Sequence, residues 1–303
     1  MKFGLSRFVL LVGLLVVLAG CGREKIEAIN LANEGTTLFK QGAYDAAVEK
    51  LDAASRLDPS NHRIIYGLAR AYEQKEEWEN VSSTLARAIS VAPTNAMYLY
   101  TQGYALVQVA RKAKQRSSWE EAKEPLMKCV QADPRYSDCY FELGWTMLFL
   151  DDEQSSLENF SKAIQHAPNE GSYYAPLVDL YIKLDRFAEA KAVAEQGAKF
   201  AAEGTKARFN MYVLLATVHQ ATKDMAAMVE ALETANRIGG AENPEILFNL
   251  GSTYAVMDPP KKAQAAQMLK QFQARACKSA SAQKYKDQCE QTAALLVKVA
   301  DGV

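Results

Sequence analysis

The chain has 303 residues, 49% of them hydrophobic, and its 35 Lys and Arg nearly balance 36 Asp and Glu. A nucleic-acid-binding face would give a strongly basic balance, so nothing here favours that class of partner. Alanine is abundant and Gly and Pro are few, which is typical of a helical protein.

The chain begins with a segment that predicts export. Residues 1–7 contain Lys2 and Arg7 and no acid, and residues 8–19 form an apolar run. A helix that spans a bilayer needs about 20 apolar residues, so this run is too short. A positive start, a short apolar run and small residues before a cleavage site indicate a signal peptide at residues 1–20.

The sequence LAGC at residues 18–21 resembles the lipobox of bacterial lipoproteins. The resemblance implies cleavage before Cys21, a covalent lipid on that residue and a short linker over residues 21–27. An ordinary secretory signal with a chance cysteine is the alternative. Gly22 stands where inner-membrane retention usually places Asp, so the resemblance favours the periplasmic face of the outer membrane. Several acyl chains give a stable anchor, because each buried methylene contributes about 0.8 kcal/mol.

A 34-residue period runs through the rest of the chain. LDPSN at residues 57–61 returns as VAPTN at 91–95, and Pro134 and Pro168 are again 34 residues apart. Two helical patterns lie between such prolines, in the order large, small, aromatic, then Ala, large, Ala. This resembles the tetratricopeptide repeat. The resemblance implies an all-α, right-handed superhelical solenoid, in which helix pairs stack to complete each other's core.

Seven repeats are predicted within residues 28–281, followed by a capping helix and tail at 282–303. The third repeat has seven extra residues, close to two helical turns, so both of its helices could lengthen without rotating their faces. The extra length falls at residues 110–118, with four positive charges and no acid. This basic segment is either a solvated helix end or an arm that faces lipid headgroups or an acidic partner. The repeats start near Ala28, His62, Ala96, Ser137, Gly171, Phe209 and Pro244, and the apolar side of the capping helix is Ala293, Leu295, Leu296 and Val299.

Four cysteines remain once Cys21 is assigned to lipidation, and an exported protein can hold disulfides. Cys277 and Cys289 are predicted to pair, because a helix hairpin can bring their Cα atoms close enough. Cys129 and Cys139 span the junction of the third and fourth repeats. Either a bridge or two buried free thiols fits these two positions.

No catalytic or metal-binding pattern is present in the sequence. The three histidines, His62, His166 and His219, fall in different repeats, and no cysteine or carboxylate cluster joins them. Motifs of hydrolases, metalloproteases and nucleotide-binding proteins are missing. The sequence therefore predicts a protein that is not an enzyme and has no metal or cofactor besides the lipid on Cys21.

In tetratricopeptide proteins the first helix of each pair lines the concave surface, mainly through its second, fifth, ninth and twelfth residues. Large aromatics are typical anchors of interfaces, although such rings could instead only pad contacts between neighbouring first helices. Trp78 and Trp119 take the aromatic place at the start of the second helix and are expected to be structural. A carboxylate clamp is not expected, because its Lys and Asn are missing. The fifth and ninth positions of repeats two to four predict a groove formed by Tyr66, Tyr100, Tyr104, Phe141 and Trp145.

These features predict a membrane-anchored periplasmic scaffold that binds another envelope protein in its groove, for assembly of an envelope machine. The architecture resembles that of type IV pilus pilotins and of other tetratricopeptide lipoproteins of the envelope. A pilotin for a secretin and a peptidoglycan-linked tether are the alternatives within this class. An enzyme or a cargo carrier would need a convergent acid–base pair in the groove, and the sequence contains none.

Overall fold

The computed structural model describes residues 4–278 and 282–300, and the side chains from residue 22 onwards within these ranges. This part of the chain is helical and contains no strand. Its helices form seven consecutive pairs and one last helix, α15 (Lys286–Ala300). The pairs are α1 (Gly4–Lys40) with α2 (Tyr44–Leu57), α3 (His62–Gln74) with α4 (Trp78–Val91), α5 (Ala96–Ala113) with α6 (Arg116–Ala132), α7 (Ser137–Phe149) with α8 (Glu153–His166), α9 (Tyr174–Lys183) with α10 (Phe187–Phe200), α11 (Lys206–Ala221) with α12 (Met225–Gly239), and α13 (Glu245–Val256) with α14 (Lys262–Phe272).

The repeat motif fixes where helices begin and turn. The side chains of Asn61 and Asn95 accept hydrogen bonds from the backbone N–H groups of Ile64 and Tyr98, so the asparagine that recurs after 34 residues is a helix N-cap. Within six of the described pairs, the turn between the two helices contains a residue in the left-handed conformation. These residues are Gly42, Glu76, Lys114, Asp151, Asp185 and Lys223.

The chain divides into two compact units, the first ending at Asn159 and the second beginning at Phe160, inside α8. The first unit buries Leu51, Ile65, Leu85 and Leu126 between its helices. Its third pair is lengthened as the seven extra residues predict. α5 has 18 residues and α6 has 17, against 13 and 14 in the preceding pair.

The second unit has its own core, centred on helices α9 to α13. The last helix closes this core with Val299 and Leu295, and Thr292 is also buried. The predicted apolar side of this helix is wrong at one position, since Ala293 is exposed. The reason is helical geometry: Thr292 lies seven residues from Val299, whereas Ala293 lies six, which is off the buried stripe.

The predicted cysteine pair and the second pair, for which the sequence left a bridge or two free thiols open, are both bonded in the structure. The Cα atoms of Cys277 and Cys289 are 5.7 Å apart, and those of Cys129 and Cys139 are 6.2 Å apart. Both distances fall within the range that disulfides require. The first bridge joins a π-helical turn, Gln273–Cys277, to α15.

The predicted signal peptide and the side chain of Cys21 lie outside the part whose side chains are described. Residues 22–27, predicted as a linker, belong to helix α1. In helical form they advance about 1.5 Å per residue, less than half of what an extended linker would allow. Among the described residues, no helix is both long and apolar enough to cross a membrane.

Candidate functional site

The five predicted groove residues lie on α3, α5 and α7, the first helices of three consecutive pairs in the first unit. All five side chains are half-buried, so each keeps part of its ring available for contact. Tyr100 and Tyr104 are four residues apart on α5, and Phe141 and Trp145 are four apart on α7. Residues at this spacing lie on the same face of a helix.

The structure brings four of these five residues together as two pairs. The ring centroids of Tyr100 and Tyr104 are 6.0 Å apart, and those of Phe141 and Trp145 are 6.4 Å apart in an edge-on arrangement. Tyr66 on α3 stacks on Tyr98 of α5, with a centroid distance of 4.8 Å.

Three aromatic residues that the sequence prediction missed complete this surface. Tyr136 packs 5.2 Å from Tyr100, and Phe149 lies 6.2 Å from Trp145. The third is Tyr98. We call the whole set the aromatic face: Tyr66, Tyr98, Tyr100, Tyr104, Tyr136, Phe141, Trp145 and Phe149.

The three missed residues differ in whether the sequence could have identified them. Phe149 lies four residues after Trp145 and eight after Phe141, so helical periodicity could have identified it. Tyr98 is buried and its hydroxyl lies 2.8 Å from Nδ1 of His62, so it supports the surface from below. Tyr136 precedes α7, so the periodicity of that helix could not have predicted its place on the surface.

The two tryptophans predicted to be structural touch the aromatic face. Trp119 is 4% exposed, as a packing role requires, but its ring also stacks on Phe149 with centroids 4.2 Å apart. Trp78 is half-buried and meets Tyr104 edge-on at 5.7 Å. The separation between structural and groove aromatics is therefore less sharp than the repeat pattern predicts.

One carboxyl group, which the sequence prediction also missed, is buried beside the tyrosines. Glu142 on α7 is 5% exposed, and Nη2 of Arg111 lies 3.5 Å from its Oε2 atom. Burial, with a smaller contribution from Asp138, raises the pKa of Glu142 to about 7 against the lowering effect of Arg111. The carboxyl group is therefore partly protonated at neutral pH.

The hydroxyls of Tyr100, Tyr104 and Tyr136 stay protonated at any physiological pH. Burial raises the pKa of Tyr136 to about 12 and raises the pKa of Tyr100 and of Tyr104 as well. Each hydroxyl can donate a hydrogen bond to a ligand while its ring offers apolar area. The surface can thus bind a peptide through ring contacts and a few directed hydrogen bonds.

Two of the three histidines have contacts in different parts of the fold. His62 contacts Tyr98 and His219 is buried in the second unit, 4.0 Å from Asp224. The described residues contain no group of three side chains that could hold a metal ion.

Comparison with known proteins supports the fold. Residues 38–102 match the tetratricopeptide repeat family. The structure is similar to PilF of Pseudomonas aeruginosa, with a TM-score of 0.54, 19% identity and coverage of 71% of this chain and 93% of that one. It is also similar to MamA from Desulfovibrio magneticus RS-1, with a TM-score of 0.52, 17% identity and coverage of 57% and 94%.

A curated relative matches only in part. RNA polymerase II-associated protein 3 of Mus musculus is 28% identical over 142 residues, which are 47% of this chain and 20% of that protein. The chain thus spans about a fifth of the length of this relative. Together with the seven helix pairs, these likenesses confirm the predicted fold of stacked tetratricopeptide helix pairs. Identities this low concern the fold alone.

Proposed function

We infer that the protein is a membrane-anchored periplasmic scaffold whose aromatic face binds a segment of another envelope protein. The observation that carries this proposal is the series of half-buried rings over three consecutive first helices, from Tyr66 on α3 to Phe149 at the end of α7. Rings with polar tips bury much area at low entropic cost and are enriched at the centres of interfaces. Protein–protein interaction is also the function that the tetratricopeptide fold supports.

The anchoring part of the proposal rests on the sequence. The basic start, the short apolar run and Cys21 after LAG support lipidation and outer-membrane attachment. The helical course of residues 22–27 supports a short distance between the lipid and the first pair. The aromatic face would then work close to the inner surface of the membrane.

Photocrosslinking in the native envelope tests the partner. A photoreactive amino acid would replace Tyr104 in one variant and Trp145 in another, and crosslinked proteins would be identified by mass spectrometry. We expect the same envelope protein from both positions and none of it from Glu195, an exposed residue of α10. Different proteins from the two positions, or the same protein from all three, would argue against one shared binding surface.

A pilotin is the second candidate, supported by the likeness of the fold to PilF. In that case deletion of the protein should abolish secretin multimers in the outer membrane, with secretin monomers still present. A peptidoglycan-linked tether would instead be recovered with purified sacculi.

A further inference from the structure

The aromatic face ends at a cleft of about 550 Å³ in the first unit. The cleft lies between the end of α5, the start of α6 and the end of α7. It exists because the third pair is longer than its neighbours, so that the basic segment of residues 110–118 projects beside α7. The lining residues are Ala110, Arg111, Lys114, Gln115, Arg116, Trp119, Phe149 and Asp151.

The cleft has an aromatic wall that continues the aromatic face. The rings of Trp119 and Phe149 are nearly parallel, at 10°, with centroids 4.2 Å apart. Phe149 is 49% exposed, a large apolar area for a residue whose ring also contacts the face through Trp145. A ligand side chain that packs on Trp145 would therefore lie next to this wall.

The polar lining of the cleft is predominantly cationic. Arg111, Lys114 and Arg116 stand against a single carboxylate, Asp151. Arg116 is held in place, because its guanidinium donates to Oδ2 of Asp151 at 2.6 Å and to the carbonyl of Leu150 at 2.7 Å. The Arg116–Asp151 pair is neutral overall, so the net positive charge of the cleft comes from Arg111 and Lys114.

The remaining positive charge is less neutralised. Arg111 has a long contact with Glu142, whose burial raises its pKa to about 7, so this partner is only partly charged at neutral pH. Lys114 is exposed and forms no ion pair with the described residues. Its position is nevertheless defined, because it caps α5 in the left-handed conformation and its N–H donates to Ala110.

A larger cleft in the second unit shows the contrast. It has a volume of about 880 Å³ and lies among α10, α11 and α12. Its lining contains three glutamates besides its basic residues, and two of the three form ion pairs within it, Glu195 with Lys191 and Glu203 with Arg208. Of these two clefts, the one beside Phe149 therefore gives the clearer indication of the sign of the charge on a ligand.

We propose that this cleft binds a carboxylate of the partner segment, from an Asp, a Glu or a C-terminus, next to an apolar side chain that packs on Phe149. The proposal rests on the proposed function and adds the chemistry of the partner: an apolar segment that carries acid at one end. Carboxylates form their strongest hydrogen bonds with cationic donors. The aromatic wall would shield that contact from water and so strengthen it.

Fluorescence anisotropy with two matched peptide pools tests the proposal on the full chain in detergent. Both pools are fluorescein-labelled nonapeptides with Phe or Leu at alternate positions. The other positions hold Asp or Glu in one pool and the isosteric Asn or Gln in the second. We expect the acidic pool to bind about tenfold more tightly than the amide pool, the effect of one charge-assisted contact.

Variants locate that preference in the cleft. Lys114→Gln should remove most of the tenfold difference between the pools, whereas Lys114→Arg should retain it. Lys40→Gln, at the exposed end of α1, is the control and should leave the difference unchanged. Trp145→Ala should weaken both pools equally, because it belongs to the aromatic face. Circular dichroism melts of all four variants would report folding.

The two proposals fail in different ways. Equal binding of the two pools, with a loss of both in Trp145→Ala, overturns the carboxylate site and leaves the aromatic face intact. An acidic preference that persists in Lys114→Gln places the carboxylate elsewhere and also overturns it. Binding of neither pool, together with Lys114-dependent binding of dioctanoyl phosphatidylglycerol, would make the cleft a lipid-headgroup site instead.

Discussion

The two units of the chain share one way of packing helices but present different side chains at the same helical positions. In the first unit, the fifth and ninth positions of α3, α5 and α7 hold five aromatic side chains and one arginine, Arg70. In the second unit only Phe248 is aromatic. The other five residues there are Ala175, Asp179, Val213, Thr217 and Ser252.

This difference separates what the fold needs from what a binding surface needs. Buried small and aliphatic residues recur in both units, such as Ala88 in the first and Ala235 in the second, both fully buried. They recur because every helix pair must stack on its neighbours. Exposed positions carry no such constraint, so a run of rings that appears in one unit only indicates recognition rather than packing.

The largest expected effect concerns the predicted lipid attachment at Cys21, near the start of the first unit. Cys21→Ser should abolish lipidation and move the protein from the membrane fraction to the soluble fraction, since the acyl chains proposed on Cys21 would supply the anchor. Fractionation followed by immunoblotting measures this. Retention of the variant in the outer membrane after a high-salt wash would show that another feature anchors the chain.

The second prediction concerns the disulfide bridge of the second unit. Replacement of both Cys277 and Cys289 by Ser should destabilise the second unit by about 3 kcal/mol, the value expected for closure of a short loop. Calorimetry should show a lower melting temperature for that variant. Free thiols at Cys277 and Cys289 in peptide maps of periplasmic protein would contradict that bridge, and free thiols at Cys129 and Cys139 would contradict the other.

Glu142 gives a pH dependence that belongs to the first unit. The corresponding positions of the second unit hold Pro176, Leu214 and Asn249, none of which titrates. Burial raises the pKa of Glu142 from 4.5 to about 7, so the folded state binds the proton more tightly than the unfolded state. The associated stability is fully present below pH 4.5 and is lost as the pH rises through about 7.

The size of this pH effect follows from the shift. It should amount to about 2–3 kcal/mol between pH 4.5 and 8, because each pKa unit corresponds to 1.36 kcal/mol. Glu142→Gln should flatten this part of the profile in urea unfolding measured from pH 4.5 to 8. Glu195→Gln, on the exposed surface of α10, is the matched control. An unchanged slope in Glu142→Gln would mean that this carboxyl titrates normally.

Binding itself should distinguish the same helical position in the two units. Trp145→Ala should weaken partner capture by about 2 kcal/mol, about thirtyfold, as for a central aromatic anchor, whereas Thr217→Ala should have no effect. Tyr104→Ala should act like Trp145→Ala, and the double variant should lose less than the sum, because both rings would contact one ligand. Loss of binding in Thr217→Ala would place the partner on the second unit as well.

Trp119 contributes to both packing and the proposed binding surface, whereas the sequence predicts packing alone. Its ring is buried but stacks on Phe149, so Trp119→Ala should both lower the melting temperature and reduce binding. Phe149→Ala should reduce binding with a smaller change in melting temperature, since its ring is half exposed. Equal destabilisation by the two variants would mean that Phe149 serves packing alone.

The sequence was sufficient for the helix pairs because their signals are local and repeated. The Asn caps at 61 and 95 and the 34-residue period define where each pair begins, and five rings of the aromatic face follow from register alone. The buried Glu142 could not be predicted, because a glutamate on an amphipathic helix is ordinarily solvated. Tyr136 and the cleft beside Phe149 depend on how the lengthened third pair packs on α7, which no local pattern encodes.

The smallest expected effect lies in the turns, where the two units should behave alike. Glu76 in the first unit and Asp185 in the second adopt φ values of 55° and 56°, a conformation that costs about 1–2 kcal/mol for residues with a Cβ atom. Glu76→Gly and Asp185→Gly should each raise the free energy of unfolding by about 0.5–1 kcal/mol. Gly adopts this conformation without the steric cost, although its greater freedom in the unfolded chain offsets part of the gain.

The turn of the first pair supplies the reverse experiment. Gly42 has a φ of 79°, and a Cβ atom added there would meet no other atom within 4 Å. Gly42→Ala should therefore destabilise by about 1 kcal/mol through backbone conformation alone. Urea unfolding of the three variants would measure these changes. A stabilising Gly42→Ala, or opposite signs for Glu76→Gly and Asp185→Gly, would show that the turns of the two units are not equivalent.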